Sequence, residues 1–399
     1  MASITRRRFA AALLAAAPAR PLSGAASVDE ILRDGIARRR IPCAVAMAAT
    51  SGEILYSGAF GLRDSSGPPV TPGSIFAIAS MTKAITTAAV MQLVEQGKLG
   101  LDEPVSKHLP RLARLEVLEG FSLLGKPIFR PARSQVTLKH LLTHTSGFAY
   151  DIWDEKISTY YRRHGLGQPL VFDPGTRWRY GPGLDWAGRL VEKLTGQNLD
   201  AYFRANIFDP LGMTDTAFLV PAEKFSRLVG NYFRSAGGAL QQDRRDPPRP
   251  PRTFSGGGGL YGTAPDYIRF MQMILRNGAA PNGRRILRAR TVDLMSTNQI
   301  GDLSAGKLRS TSPRVSADVD FHPGFEDKYT FGFLLNPDPH PGGRSAGSLS
   351  WAGINNTFYW IDPRRNLCAV LMMQFLPFCD SQAVGLLRDF ERAVYANLV

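Results

Sequence analysis

The chain has 399 residues, 44% of them hydrophobic and 21% charged, with a formal net charge of +14. That is ordinary globular composition, with enough length for a sizeable core in one large domain or two intimate ones. The positive balance does not point to nucleic acid: the basic residues are scattered, and their densest group, "QQDRRDPPRPPRTF" at 241–254, reads as a solvated basic loop.

Residues 1–27 read as an export leader. "TRRRFAAALLAAAPA" has a basic start, a short apolar run and small residues after it, and Arg6-Arg7 followed by Phe9 resembles a twin-arginine signal. A plain Sec signal or a basic tail is the alternative. Export implies a periplasmic location, and removal of the leader's four arginines lowers the charge from +14 to about +10. No later stretch reaches about 18 uninterrupted apolar residues, so no membrane span is expected.

Residues 28–40 have the pattern of an amphipathic helix, and "CAVAMAATSGEILYSGAFGLRD" reads as a β-hairpin turning at Ser51-Gly52. From Ser80, "SMTKAITTAAVMQLVEQGKLGL" carries Ile85, Val90, Leu93 and Val94 at helical spacing and stops near Gly97 and Gly100. A mixed middle of short helices and Pro/Gly-rich joints follows. "APDYIRFMQMILRNG" is a strong helix, with Pro265 near its start and Gly278 at its end. Strands return in "YTFGFLL", "NTFYWIDP" and "LCAVLMMQF", and a last helix covers roughly 380–397. Strands at both ends around a helical insertion imply an α+β fold: an α/β sandwich domain from 28–105 and 260–399, and a mainly helical domain from 106–259. Cys43, Cys368 and Cys379 show no metal spacing; Cys43 and Cys368 lie in apolar runs and read as structural thiols.

Ser80 and Lys83 form a Ser-x-x-Lys pair, and Ser304 and Lys307 form a second. Context separates them. Ser80 follows the strand-like "SIFAIA" and opens a long helix, where unpaired N–H groups and the dipole favour negative charge. Lys83, one turn on, shares its face. Ser304 lies in the glycine-broken polar loop "IGDLSAGKLRS". A serine needs a base to become a nucleophile, and a buried amine can serve. The bland alternative is an N-cap serine beside a solvated lysine. Tyr180, in an aromatic, glycine-rich joint ahead of an amphipathic helix, is the candidate second proton carrier.

These residues and the stretches "FAIASMTKAITTAAVMQLVEQGKLGLDEPV", "TLKHLLTHTSGF", "DPGTRWRYGPGLDWAGRLVEKLTG", "SGGGGLYGTAPDYIRFMQMIL" and "SWAGINNTFYWIDP" resemble the serine β-lactamase and penicillin-binding-protein superfamily, in its class C-like branch and closest to the family VIII carboxylesterases. The resemblance implies a β-lactamase/DD-peptidase-like fold, an antiparallel sheet flanked by helices plus an inserted mainly helical domain. It carries the nucleophile onto Ser80, the lysine onto Lys83 and the tyrosine of Tyr-x-Asn onto Tyr180, with Pro182 in place of the asparagine. The Lys-Thr-Gly of β-lactamases falls on Trp351-Ala352-Gly353, similar to the Trp-x-Gly of family VIII esterases, and the second oxyanion N–H falls on Ile354, beside Gly353. Trp351 offers an apolar face and one N–H donor, which suits a neutral ester better than an anionic lactam.

The resulting expectation is a serine hydrolase that cleaves carboxylic esters through a Ser80 acyl-enzyme, with Lys83 and Tyr180 as acid/base groups. Tyr150, with Trp153 and Phe148, is a candidate for the acyl pocket, core packing being the alternative. The substrate is a small-molecule ester or lactam, with no metal and no organic cofactor required. A β-lactamase or D-Ala-D-Ala carboxypeptidase, an acyltransferase or amide hydrolase, and a non-catalytic sensor domain are the rival readings. "GRSAG" around Ser345 imitates a nucleophile elbow but precedes a strand, with no histidine after His340. "GGGLYG" follows a proline-rich loop rather than a strand, which excludes dinucleotide binding. His140 and His144 are four apart but lack the glutamate and third ligand of a zinc helix.

Overall fold

Seven antiparallel strands form the main sheet, in the spatial order Ile54–Gly61, Cys43–Ala49, Leu367–Met372, Thr357–Asp362, Ser348–Gly353, Leu334–Asn336 and Lys328–Tyr329. The computed structural model describes residues 28–165, 167–235, 237–243 and 250–398; the candidate leader and part of the basic loop lie outside the described residues. Cys43–Ala49 pairs on one side with its hairpin partner and on the other with Leu367–Met372, Val45 facing Met372. Its seven residues are all buried. A strand covered on both faces needs no polar alternation, which is why "CAVAMAA" is continuously apolar. "YTFGFLL" is not the single strand its composition suggests. Gly332, at φ +87°, turns the chain between two short strands, and Thr330 N–H donates to the Phe333 carbonyl at 3.0 Å or less (2.9 Å). That left-handed backbone is readily adopted only by glycine.

Helices cover both faces. Trp360 packs on Phe390 of the C-terminal helix Ser381–Asn397, at 5.6 Å between ring centroids. Its neighbour Tyr359 packs on Tyr267 of the helix Ala264–Leu275, at 4.9 Å. Successive strand residues point to opposite faces, so these two helices lie on opposite sides of the sheet. The N-terminal helix Val28–Arg39 packs against the C-terminal one. Thr263 caps Ala264–Leu275 by accepting from the Asp266 N–H at 3.4 Å, and Pro265 sits in its first turn, as the sequence signals predict.

The helix Thr82–Glu95 is not covered on one face alone: every residue from Thr82 to Leu93 is buried, Lys83 included. It is a central helix, packed against Gly183–Thr195. Where an interior helix is enclosed all round, a polar side chain on it needs an interior partner. Residues 106–259 supply the helices Leu138–Leu142, Glu155–His164, Gly183–Thr195 and Leu199–Phe203, and also a hairpin of Glu116–Phe121 with Pro127–Pro131. Tyr232–Arg234, late in this stretch, pairs in parallel with Phe375–Leu376. The three cysteines are free and buried, and burial pushes the Cys43 thiol up to about 12. Among the described residues no helix is long and apolar enough to cross a membrane.

Candidate active site

Ser80 sits in the short turn Ala79–Met81 that leads into Thr82–Glu95. Ala79 has φ +44°, a left-handed conformation that costs a non-glycine residue on the order of 1–3 kcal/mol and persists only where surrounding structure fixes it. The fixing contacts are present. The Ala77 N–H donates to Gln374 Oε1 at 3.1 Å, Asn355 Nδ2 donates to the Ala77 carbonyl at 3.2 Å, and the Ile78 N–H donates to the Leu260 carbonyl at 3.0 Å. The strand Ser348–Gly353 packs directly on this turn. A Cβ at Gly353 would fall on the Ile78 carbonyl oxygen and on Thr357 Oγ1. Gly353 therefore allows the strand to approach the backbone behind the serine, and Ile354, one residue on, lines the same pocket as Ser80.

Lys83 is fully buried. Its Nζ donates to Ser80 Oγ at 3.1 Å, to the Tyr150 hydroxyl at 3.3 Å and to the Gly257 carbonyl at 2.6 Å. It also lies 4.8 Å from the centroid of the Tyr180 ring. The structure thus brings Ser80, Lys83 and Tyr180 together, yet the phenol bonded to the amine is Tyr150. The Tyr180 hydroxyl accepts instead from Trp351 Nε1 at 3.3 Å. The two tyrosines are themselves linked: the Tyr150 N–H donates to the Tyr180 carbonyl at 3.2 Å, and their rings meet edge to face at 5.2 Å.

Asp185, in the first turn of Gly183–Thr195, organises the other side of Lys83. It accepts from the Tyr150 hydroxyl at 3.5 Å, from the Gly257 N–H at 3.1 Å and from the Ser255 hydroxyl. Burial, then the Asp185 charge, hold the Tyr150 phenol well above its ordinary value, so it stays protonated. Sequence reasoning passed over Asp185 and Gly257. An acidic residue in a helix's first turn has a sufficient local explanation in the dipole, and a carbonyl acceptor has no side-chain signature.

His144 supports Tyr180 from behind. Its ring packs edge to face on Tyr180 at 4.8 Å, its Nδ1 accepts from the Gly181 N–H at 3.4 Å, and its backbone is left-handed at φ +58°. Burial, reinforced by the Lys83 charge, lowers the imidazole well below its ordinary value and keeps it neutral. His140 occupies a capping box with Thr137 at the start of Leu138–Leu142. The two histidines therefore serve the turn and the helix start rather than a metal.

Ser80 opens onto an apolar pocket lined by Trp153, Leu308, Phe321, Trp351, Ile354 and Phe378, with Tyr180 at its wall. Phe148 instead stacks on Trp186 at 6.0 Å, a core position. Leu308, Phe321 and Phe378 come from irregular segments with no sequence feature to mark them. Lys307 of the second Ser-x-x-Lys is exposed and lies 3.7 Å from Asp320. Ser345 of "GRSAG" sits in a turn ahead of a strand, its N–H donating to Asp362 Oδ2 at 2.8 Å.

Comparison with known proteins follows the same lines. The family described as Beta-lactamase matches residues 28–391. Monacolin J acid methylbutanoyltransferase of Aspergillus terreus is 32% identical, over 94% of this chain and 98% of the relative. Lovastatin esterase of Penicillium rubens is also 32% identical, over 92% and 98%. Esterase EstB of Burkholderia gladioli is 31% identical, over 87% and 90%. Unliganded simvastatin synthase (LovD) of Aspergillus terreus superposes with a TM-score of 0.77 at 30% identity, covering 92% of this chain and 96% of that one. With an antiparallel sheet flanked by helices and a match over nearly all the described residues, the chain belongs to the β-lactamase family.

Proposed function

We propose that this protein is a serine hydrolase that cleaves carboxylic esters through an acyl-enzyme on Ser80. The observation that carries the reading is the 3.1 Å contact between Lys83 Nζ and Ser80 Oγ at the mouth of an apolar pocket. Lys83 must first give up one of the protons it donates in this structure; its lone pair then takes the hydroxyl proton while Oγ attacks the ester carbonyl. The Ser80 and Ile354 N–H groups receive the oxyanion. Tyr180 relays the proton to the departing alkoxide, and water then releases the acid by the reverse path. Tyr150 and Asp185 position Lys83. Trp351 brings no positive charge to the pocket, which favours a neutral ester over the carboxylate-bearing substrate of a β-lactamase or D-Ala-D-Ala carboxypeptidase.

The acyl-enzyme offers a second outcome: transfer to an alcohol. It is supported by the equal 32% identity to a methylbutanoyltransferase and to an esterase. The export leader over residues 1–27 supports a periplasmic location, on its sequence alone. The test is turnover of a short-chain p-nitrophenyl ester by purified protein, with nitrocefin and an added acceptor alcohol in parallel. We expect ester turnover, fluorophosphonate labelling of Ser80 and no turnover by Ser80→Ala. Wild-type rates in that variant, or nitrocefin turned over in preference to the ester, end the reading; a sensor domain gives neither labelling nor turnover.

A further inference from the structure

A cavity of about 300 Å³ that shares Phe321 with the acyl pocket but not Ser80 is lined by Phe321, His322, Phe325, His340, Arg388 and Glu391, among others. His322 and His340 are on its wall, and together with the buried Asp327 they bring one ligand atom each within 4.8 Å of one another. We propose that His322, Asp327 and His340 form a binding site for a divalent transition metal of the zinc class, with its open coordination position facing this cavity.

The donor chemistry fits. Two imidazoles and a carboxylate are a common protein set for such an ion when a further position is left to water or an exogenous ligand. His322 Nδ1 lies 2.9 and 2.8 Å from the two Asp327 oxygens, so carboxylate and imidazole already converge. The two histidine rings are 4.0 Å apart between centroids. His340 Nε2 is buried and has no hydrogen-bond partner among the described residues. A buried ring nitrogen in that state needs an explanation, and beside a second imidazole and a carboxylate a bound ion supplies one.

Two segments must stay in register for the set to exist. The His340–Arg344 turn is closed by the His340 N–H donating to the Arg344 carbonyl at 2.9 Å. Asp327 is held by its own carbonyl, which accepts from the Ala305 N–H at 2.9 Å. Donors at a tetrahedral zinc are about 3.4 Å apart for bonds near 2.1 Å, so a separation of 4.8 Å must close by about 1.4 Å, and the hydrogen-bonded His322–Asp327 pair, at 2.8 Å, must open by about 0.6 Å as its proton leaves. The half-buried His340, whose ring has no hydrogen bond among the described residues, is the side chain free to do so. Arg344 is neutralised by Glu391 at 2.6 Å. Arg388 and Arg392 are exposed at the rim, where solvent screens their repulsion of a cation. Phe321 walls both this cavity and the acyl pocket, so a metal on His322 anchors the segment that shapes the acyl site.

The experiment uses the purified full chain, stripped with chelator and titrated with Zn²⁺ by calorimetry, with metal content after desalting and thermal unfolding followed in parallel. The expected result is one zinc per chain and a higher unfolding temperature with zinc. His340→Ala should weaken binding by roughly 100-fold or more while its metal-free unfolding temperature stays that of the stripped wild type. His340→Gln, which keeps volume, is the second variant should the alanine disturb the turn. No retained zinc in the wild type, or wild-type affinity in both variants, removes the site. Fluorophosphonate labelling of Ser80 is independent of this outcome and keeps it separate from the esterase reading.

Discussion

Lys83 Nζ touches the hydroxyl of Tyr150 at 3.3 Å but meets Tyr180 through the face of its ring, 4.8 Å from the centroid. The two phenols are therefore not equivalent. Tyr150 is tied to Asp185 and kept protonated by burial and by that carboxylate. Tyr180 lines the pocket, and its hydroxyl accepts from Trp351, which lines it too. A group that passes a proton to a leaving alkoxide must face the substrate, and one that positions the base need not.

Replacement of the two hydroxyls separates these duties. Tyr180→Phe should lower kcat on a p-nitrophenyl ester by about 100-fold or more. Tyr150→Phe, which removes long bonds to Lys83 and Asp185 but leaves the Gly257 carbonyl on the amine, should cost less, about tenfold, the low end for hydrogen bonds to charged groups. Steady-state kinetics with circular dichroism as a fold control makes the comparison. If Tyr150→Phe proves the more damaging, the relay belongs to Tyr150.

Gly257 is a second point of control over Lys83. Its carbonyl accepts from Nζ at 2.6 Å. An added Cβ would fall on the Asp185 carboxylate and lie 3.0 Å from the Tyr150 hydroxyl. Gly257→Ala should therefore push apart the groups that hold the amine and lower kcat by about 10–100-fold, the scale expected of a small misplacement of a reacting group. KM should change little, since Gly257 is not among the residues lining the acyl pocket. Full activity in this variant would show that the amine finds its place without that support.

The acyl pocket sets a length limit. Leu308 is buried and closes part of the wall. Leu308→Ala should shift the preference among p-nitrophenyl esters toward longer acyl chains, with each methylene accommodated worth about 0.8 kcal/mol, or about fourfold in kcat/KM. A chain-length profile measured well below the unfolding temperature checks this, because a buried Leu→Ala change also costs about 2–5 kcal/mol of stability. An unaltered profile places the acyl group elsewhere.

What was legible in the sequence was local. Ser80 and Lys83 are one helical turn apart, so spacing alone puts them on one face, and the strong period of "APDYIRFMQMILRNG" marks its helix. The "YTFGFLL" hairpin was lost because an apolar run hides a turn unless the glycine's left-handed backbone is known. The support of Lys83 was out of reach for a different reason. Gly257 contributes a backbone carbonyl from 174 residues away, and neither its residue type nor its neighbours announce that contact. Tyr150 was visible as an aromatic near the pocket, but its bond to Lys83 depends on how two remote segments pack.

The pair Arg344–Glu391 gives a prediction about acid. It is buried, with guanidinium and carboxylate 2.6 Å apart. Burial alone would raise the Glu391 carboxyl, but the charge and hydrogen bonds of Arg344 outweigh it and hold the group at about 2, against an ordinary 4.5. A depressed folded value means that the unfolded chain takes up the proton first as pH falls. The stabilisation is thus fully present above about pH 4.5 and is lost progressively toward pH 2. Glu391→Gln should cost roughly 3–5 kcal/mol at pH 7, because it leaves Arg344 buried without its counter-charge. It should also flatten the stability curve between pH 4.5 and pH 2 relative to the wild type. Urea unfolding across that range, with chelator present throughout, measures both effects. The double change Arg344→Met with Glu391→Leu should recover much of the loss, since an apolar pair of similar volume removes both desolvation costs. A single variant as stable as the wild type at pH 7 would mean that water reaches Arg344 and the pair contributes little.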